Sequence, residues 1–209
     1  MPTDTFFNLP DEKRTRLMHA IRDELTRVPF SELSINRIIH LAKIPRGSYY
    51  QYFSGKDDLY DFLLTGYRSR MQQSAMRTLH EQNGDVFLTV LAGFDESVQF
   101  ASAESNLSVM RHLFSYRQPL QPRQGESPLA SIAILTQNID LIDATALACE
   151  TRDDLYYMLE ILFTMLAFAL AELFCDPQKA PQLRAQLEKK LELVKRGFLR
   201  APDCGKAAF

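Results

Sequence analysis

Acidic residues are missing from one stretch of this chain. From Leu33 to Lys56 there is no Asp or Glu, although the 209 residues carry 26 acids and a net charge of −2. The same window holds Arg37, Lys43, Arg46 and Lys56, with His40 among them. A basic patch in an acidic chain suits phosphate binding, and a solvated basic face would give the same pattern. Cysteine is scarce: Cys149, Cys175 and Cys204 are odd in number and widely spaced. They form neither a disulfide framework nor a C-x-x-C metal site, which fits a reducing cytoplasm. The longest apolar run, Ile161 to Ala171, is interrupted by Thr164 and flanked by Glu160 and Glu172. It is shorter than the roughly 20 residues a bilayer needs, so no membrane span is expected. Asp4, Asp11 and Glu12 precede any apolar block, unlike a signal peptide. There is no H-E-x-x-H, no glycine-rich phosphate loop and no G-x-S-x-G. His19, His40, His80 and His112 are far apart. No catalytic residue, metal or cofactor is therefore expected, although a site assembled in three dimensions would escape this reading.

What is present is helical. Eight glycines and no sustained period-2 alternation argue against a sheet, and 46% apolar with 24% charged residues is ordinary globular composition. Asn8 and Pro10 mark the start of a first helix that places Leu17, Ile21, Leu25 and Val28 on one face and ends before Pro29. Ser34 caps a second, with Ile35, Ile38, Ile39 and Ala42 at helical spacing. Ile44-Pro45 breaks it, and a third short helix begins at Pro45 and runs to Phe53. Ser54 with Asp57 resembles a capping box for a fourth, which carries Leu59, Phe62, Leu63, Tyr67 and Met71 and stops at Asn83-Gly84. Further helices are expected near 85–102, 105–116, 128–148, 152–175 (capped by Thr151) and 181–199. A loop is expected over 116–128 and a frayed tail from Ala201.

Short helices with a tight break between the second and third describe a helix-turn-helix, about residues 34–53. In that motif the later helix of the pair enters the major groove of double-stranded DNA. Arg46 sits where this helix begins, and Gly47 removes a side chain where the backbone must approach closely. Ser48, Tyr50, Gln51 and Tyr52 are expected on its outer face, with Tyr49 and Phe53 turned inward. Ser34, Arg37, Lys43 and Lys56 complete the expected DNA-binding set.

The run from Ser34 to Leu59 resembles the N-terminal domain of TetR-family transcriptional regulators. The family pattern is a Ser/Thr-capped helix, an I-A-x-x-A-G-V-like turn, G-T-L-Y-x-Y-F, then S-K-E-x-L. Gly47, Ser48 in place of Thr, Tyr50, Tyr52, Phe53, Lys56 and Leu59 match it. Lys43 stands where Gly or Ala is usual, Pro45 where Ser usually caps, and Gly55 is extra. The resemblance implies an all-α bacterial repressor, dimeric and ligand-responsive. It would have a helix-turn-helix domain over 1–56 and a ligand-binding and dimerisation domain over 57–209.

A dimer is also suggested by the residues themselves. Leu155, Leu159, Leu162, Leu166, Ala169 and Leu173 follow a 4-3-4-3-4 spacing, a coiled-coil-like seam. Met158, Ile161, Met165 and Phe168 lie opposite, so this helix is apolar almost all round and is expected to be buried on two sides. Leu183, Leu187 and Leu191 give the last helix a stripe. The expected interface is Leu155, Leu159, Leu162, Leu166, Leu173, Leu187 and Leu191; intrachain core is the alternative reading of both stripes. A pocket for an unidentified, lipophilic effector is expected among Phe62, Tyr67, Met71, Phe87, Phe94, Phe114, Met158, Met165 and Phe168, unless these form a filled core. Glu104, Arg111 and His112 are candidate polar anchors or surface residues. The competing reading of the whole chain is a small helical enzyme or interaction module whose helix-turn-helix is purely structural.

Overall fold

Helix starts and stops follow the local chemistry closely. In the computed structural model, which describes residues 2–116 and 138–199, the first long helix, α2, spans Asp11–Arg27. Asp11 and Glu12 lie in its first turn, where the helix dipole favours acids, and Val28 turns to extended backbone ahead of Pro29. A one-turn helix not expected from the sequence, α1 (Asp4–Phe7), precedes it. After a 3-10 turn at Phe30–Glu32 comes α3 (Ile35–Ala42), whose first-turn Arg37 N–H donates to the Ser34 hydroxyl at 3.3 Å. Pro45 stands at the N-cap of α4 (Arg46–Tyr52), one residue earlier than its expected role as first helical residue.

α5 (Lys56–Glu81) begins at a different cap from the one expected. The Ser54 N–H and hydroxyl both donate to Asp58, at 3.0 and 3.2 Å, rather than to Asp57. Its stop is as expected. Asn83 and Gly84 take φ of 50° and 85°, and the Gly84 N–H donates to the Leu79 carbonyl at 2.8 Å. A side chain at Gly84 would also collide with the backbone of Leu141 and Asp143. α6 (Val86–Ala101) and α7 (Glu104–Tyr116) follow, then α8 (Arg152–Cys175) and α9 (Ala180–Phe198). Thr151 and Asp154 form a reciprocal capping box on α8.

The helix expected near 128–148 is not formed over its described part. Residues 128–137 lie outside the described residues, as do most of the expected 116–128 loop and the tail. From Asn138 onward there is a 3-10 turn, Ile139–Leu141, and then irregular chain. The reason is local competition. Asp143 Oδ1 accepts from both the N–H and the hydroxyl of Thr145, at 3.0 and 2.6 Å, an arrangement incompatible with a continuing helix. Leu147 and Leu199 form an isolated antiparallel bridge, and no strand is present among the described residues.

The chain divides into two compact units. The first comprises Met1–Arg70 with Gln99–Pro119, and the second Met71–Val98 with Leu120–Phe209. The first core is aromatic: Phe6 lies 5.1 Å from Phe53 and 5.0 Å from Phe62 between ring centroids, and Phe30 stacks near Tyr60 and Tyr116. α7 joins this unit through His112, whose Nδ1–H donates to the Leu25 carbonyl at 2.6 Å. The second core is richer in leucine, with Leu159, Leu162, Leu173, Leu183, Leu187 and Leu191 buried beside Phe94 and Phe174. There Arg184 pairs with Asp95 at 2.9 Å and Lys195 with Asp85 at 3.2 Å. α8 as a whole is long and apolar enough to cross a membrane by length and composition. The expectation drawn from Ile161–Ala171 alone was too strict, because the helix extends well past that run. Its inward stripe forms the subunit core.

One carboxylate is wholly inside. Glu24 is 0% exposed and accepts from Arg27 at 2.9 Å, Arg37 at 2.9 Å and the Ser34 N–H at 3.2 Å. Glu24→Gln removes the charge but leaves two half-exposed arginines that water can solvate, so a loss of about 1–3 kcal/mol is expected in urea unfolding. Replacing Arg27 and Arg37 together by Ala should cost more, about 3–5 kcal/mol, because the buried carboxylate then has no cation. An equal or smaller cost for the double replacement would contradict this ranking.

Candidate nucleic-acid interface

α3 and α4 are joined by the three-residue turn Lys43–Pro45. Lys43 adopts the left-handed conformation, φ 52°, and its N–H closes the end of α3 onto His40. A residue with a side chain is strained there by about 1–2 kcal/mol, which explains why glycine is usual at this position in the resembled pattern. Two braces from outside the pair hold the C-terminal ends of its helices. Arg16 Nε donates to the Ala42 carbonyl at 2.7 Å, and the Thr3 N–H donates to the Tyr52 carbonyl at 3.1 Å. Both satisfy carbonyls that a helix end leaves open.

The expected DNA-contacting residues separate into two groups. Lys43, Arg46, Gly47, Tyr50 and Gln51 are exposed, with Tyr50 at 46%. Apart from its chain neighbours and the backbone of its own helix, no atom of the described residues lies within 4 Å of where a Gly47 side chain would begin, so packing does not require glycine there. Ser48 is half-buried. Tyr52 is a correction: it is buried, its ring 6.4 Å from that of Phe6. It lies three residues after Tyr49, and on a 3.6-residue helix that returns it to the inward stripe with Phe53. Ser34 is engaged as the α3 cap, and Arg37 is paired with Glu24. Lys56 Nζ donates to the Ser31 carbonyl at 3.2 Å. The result is an exposed surface free of acids, carried by α4 and the turn before it.

Glu24, Arg16 and Thr3 were not singled out from the sequence. Glu24 had a readable signal, because a carboxylate interrupts the apolar stripe Leu17, Ile21, Val28 at the spacing of that stripe. Arg16 and Thr3 act over 26 and 49 residues of sequence and have no local signature.

A family model described as "Tetracyclin repressor-like, C-terminal domain" matches residues 85–198. The chain belongs to the TetR family of transcriptional regulators. Solved structures share its fold. A TetR-family regulator from Chloroflexus aurantiacus is 26% identical, with a TM-score of 0.51 over 96% of this chain and 100% of its own. SmeT, the repressor of the Stenotrophomonas maltophilia multidrug efflux pump SmeDEF, is 12% identical with a TM-score of 0.64 over 91% of this chain and 93% of its own. NalD, the secondary repressor of the MexAB-OprM multidrug efflux pump in Pseudomonas aeruginosa, is 16% identical with a TM-score of 0.57 over 92% and 99%. Nothing among curated proteins matches the sequence.

The TetR-family chain places the remaining expected residues as follows. Leu159, Leu162, Leu166, Leu173, Leu187 and Leu191, expected at a dimer interface, are buried within the subunit, and Leu155 is half-buried. The 4-3 spacing describes any helix seam, and here it is the seam α8 makes inside its own subunit. The outward stripe is instead Tyr157, Ile161 and Phe168, exposed by 63%, 43% and 61%. Phe168 is therefore also corrected as a pocket residue. Phe87, Phe94 and Met158 are buried, and Met165 is half-buried. Met71 accepts a hydrogen bond from Ser97, and Tyr67 packs on Phe100 and Phe114. Phe62 lines a cavity in the first unit that involves none of the other eight. His112 ties α7 to α2, Arg111 is half-buried, and Glu104 lies exposed in the first turn of α7. No group of three or more His, Cys, Asp or Glu that could hold a metal occurs among the described residues.

Tyr49 offers a test of the inward stripe. Its ring is fully buried and its hydroxyl has no hydrogen-bond partner among the described residues. Burial, then the neighbouring Tyr50 and Asp58, push its ionisation far above the ordinary tyrosine range. Tyr49→Phe should leave stability unchanged or raise it by up to about 1 kcal/mol in thermal unfolding, since only an unpaired buried polar group is removed. A clear loss would mean that the hydroxyl has a partner.

Proposed function

We propose that this chain is a homodimeric transcriptional repressor of the bacterial cytoplasm that binds a palindromic operator in double-stranded DNA and responds to a small lipophilic effector. It performs no catalysis. Residues 1–56 act as the DNA-binding domain and residues 57–209 as the domain for effector binding and dimerisation. The observation that carries this reading is the acid-free surface of α4, where Arg46, Gly47, Tyr50 and Gln51 stand exposed on a helix braced from behind. Arg46 and Lys43 neutralise phosphates, Gly47 lets the backbone approach, and Tyr50 and Gln51 reach base edges. The repressors SmeT and NalD, which share the fold, support the direction of control.

Two half-sites need two copies of α4. The outward stripe Tyr157, Ile161 and Phe168 is the face we assign to a second copy of this chain. An obligate interface of this kind buries more than about 2,000 Å² in total. The effector is received among apolar and methionine side chains of the second unit, Met71, Phe87, Phe94, Met158 and Met165. α5 runs without interruption from Lys56 to Glu81 and belongs to both units, so it is the element through which effector occupancy changes the spacing of the α4 helices.

Gel shifts against a library of genomic fragments test the reading. A preferred fragment should be retained, with an affinity that falls steeply with salt. Gly47→Ala should be as stable as the parent, or more so by about 0.5–1 kcal/mol, yet bind the fragment at least tenfold more weakly. Unchanged binding by Gly47→Ala would remove α4 from the interface. Phe168→Glu should sediment as a monomer and lose the fragment; a stable dimer carrying this change would place the partner elsewhere.

A further inference from the structure

The first unit contains a groove of about 570 Å³ between α1, α2, α5 and α7, a size typical of small-molecule sites. Its floor is apolar, with Phe6, Ile21, Leu25 and Phe62. Its mouth carries Arg14, His19 and Arg22, and no Asp or Glu lines it. The charge arrangement at the mouth is uneven. Arg14 pairs with Asp11, which is 90% exposed and stands outside the lining, and also donates to the Phe7 carbonyl at 3.1 Å. Arg22 donates to Ser105 at 3.1 Å and to Asn106, both neutral, so these bonds orient the guanidinium without neutralising it. Both bonds use Nη2, leaving Nε–H and Nη1 directed to no acceptor among the described residues.

We propose that this groove binds a small lipophilic anion, its apolar body on the aromatic floor and its anionic head on Arg22. A cation has no carboxylate to meet in the lining, and a neutral apolar molecule leaves the guanidinium donors unused. The site is separate from the effector region assigned to the second unit. It also touches the support of α4. Phe6, part of its wall, packs on Tyr52 and Phe53, and Thr3 beside it donates to the last turn of α4. An occupant that displaces Phe6 loosens this support and weakens operator binding. That consequence rests on the DNA-binding reading, whereas the site does not.

Decanoate, decanol and decyltrimethylammonium form a probe series with one chain and three charges. In calorimetric titrations of the full chain, decanoate should bind at least tenfold more tightly than the other two. Arg22→Gln should lower decanoate affinity at least fivefold and leave decanol unchanged. Arg22 is exposed, so this variant is expected to fold, and circular dichroism checks that it does. Hydrogen exchange should show decanoate protecting residues 4–25. Equal affinity for the three probes, no binding, or protection confined to 152–175 would each overturn the proposal. In the operator arm, decanoate should weaken the gel shift of the parent and not of Arg22→Gln. A shift insensitive to bound decanoate would overturn the coupling to α4. A parent that retains no DNA fragment would count against the operator reading alone, because the titrations still decide the site.

Discussion

A carboxylate with no exposure to water governs the geometry of the first unit. Glu24 sits on the apolar stripe of α2, where an isolated charge would be severely penalised, and is tolerated because three donors converge on it. Arg27 comes from its own helix. Arg37 and the Ser34 N–H come from the first turn and the cap of α3. The cluster therefore fixes where α3 begins relative to α2. Because the turn after α3 is only three residues long, it also sets where α4 can begin. The angle at which α4 presents its outer face is thus traceable to one buried ion cluster and the aromatic packing behind it.

Around that constraint, basic residues take one of two roles. Arg16, Arg27, Arg37 and Lys56 are bound to carbonyls or to Glu24 and hold the helices in place. Lys43 and Arg46 stay exposed in the turn and at the start of α4. The local excess of positive charge that first marks residues 33–56 is therefore partly scaffold and partly surface. The same division applies to the tyrosines, since Tyr49 and Tyr52 fill the core and Tyr50 faces outward. In the second unit α8 is apolar almost all round, and its two sides differ in burial: the leucine seam and Met158 are buried within the chain, while Tyr157, Ile161 and Phe168 are exposed.

What was legible from the residues was what local chemistry decides. The caps at Ser34 and Thr151, the break at Ile44-Pro45 and the left-handed stop at Asn83-Gly84 each depend on a few neighbouring atoms. So did the motif that places α3 and α4. What was not legible depended on distant partners. α1 is four residues long, too short for periodicity, and its importance comes from Phe6 meeting rings of α4 and α5. Tyr52 is buried and not on the outer face, because three residues after Tyr49 a helix returns to the same inward side. The interface leucines were misplaced because periodicity identifies a seam and says nothing of which chain supplies the other half. The segment after Asn138 has helical composition, yet the Asp143–Thr145 turn and the bridge to Leu199 decide its path.

In the proposed complex, α4 of each of two copies reads one half of a symmetric DNA site. Hydroxyl-radical footprinting of a retained genomic fragment addresses this most directly. Two equivalent protected patches are expected, their centres separated by about one duplex turn, roughly 34–36 Å, or a multiple of it. They should be related by a twofold axis and share an inverted repeat. A single unsymmetrical patch, or uniform protection that follows no sequence, would contradict it.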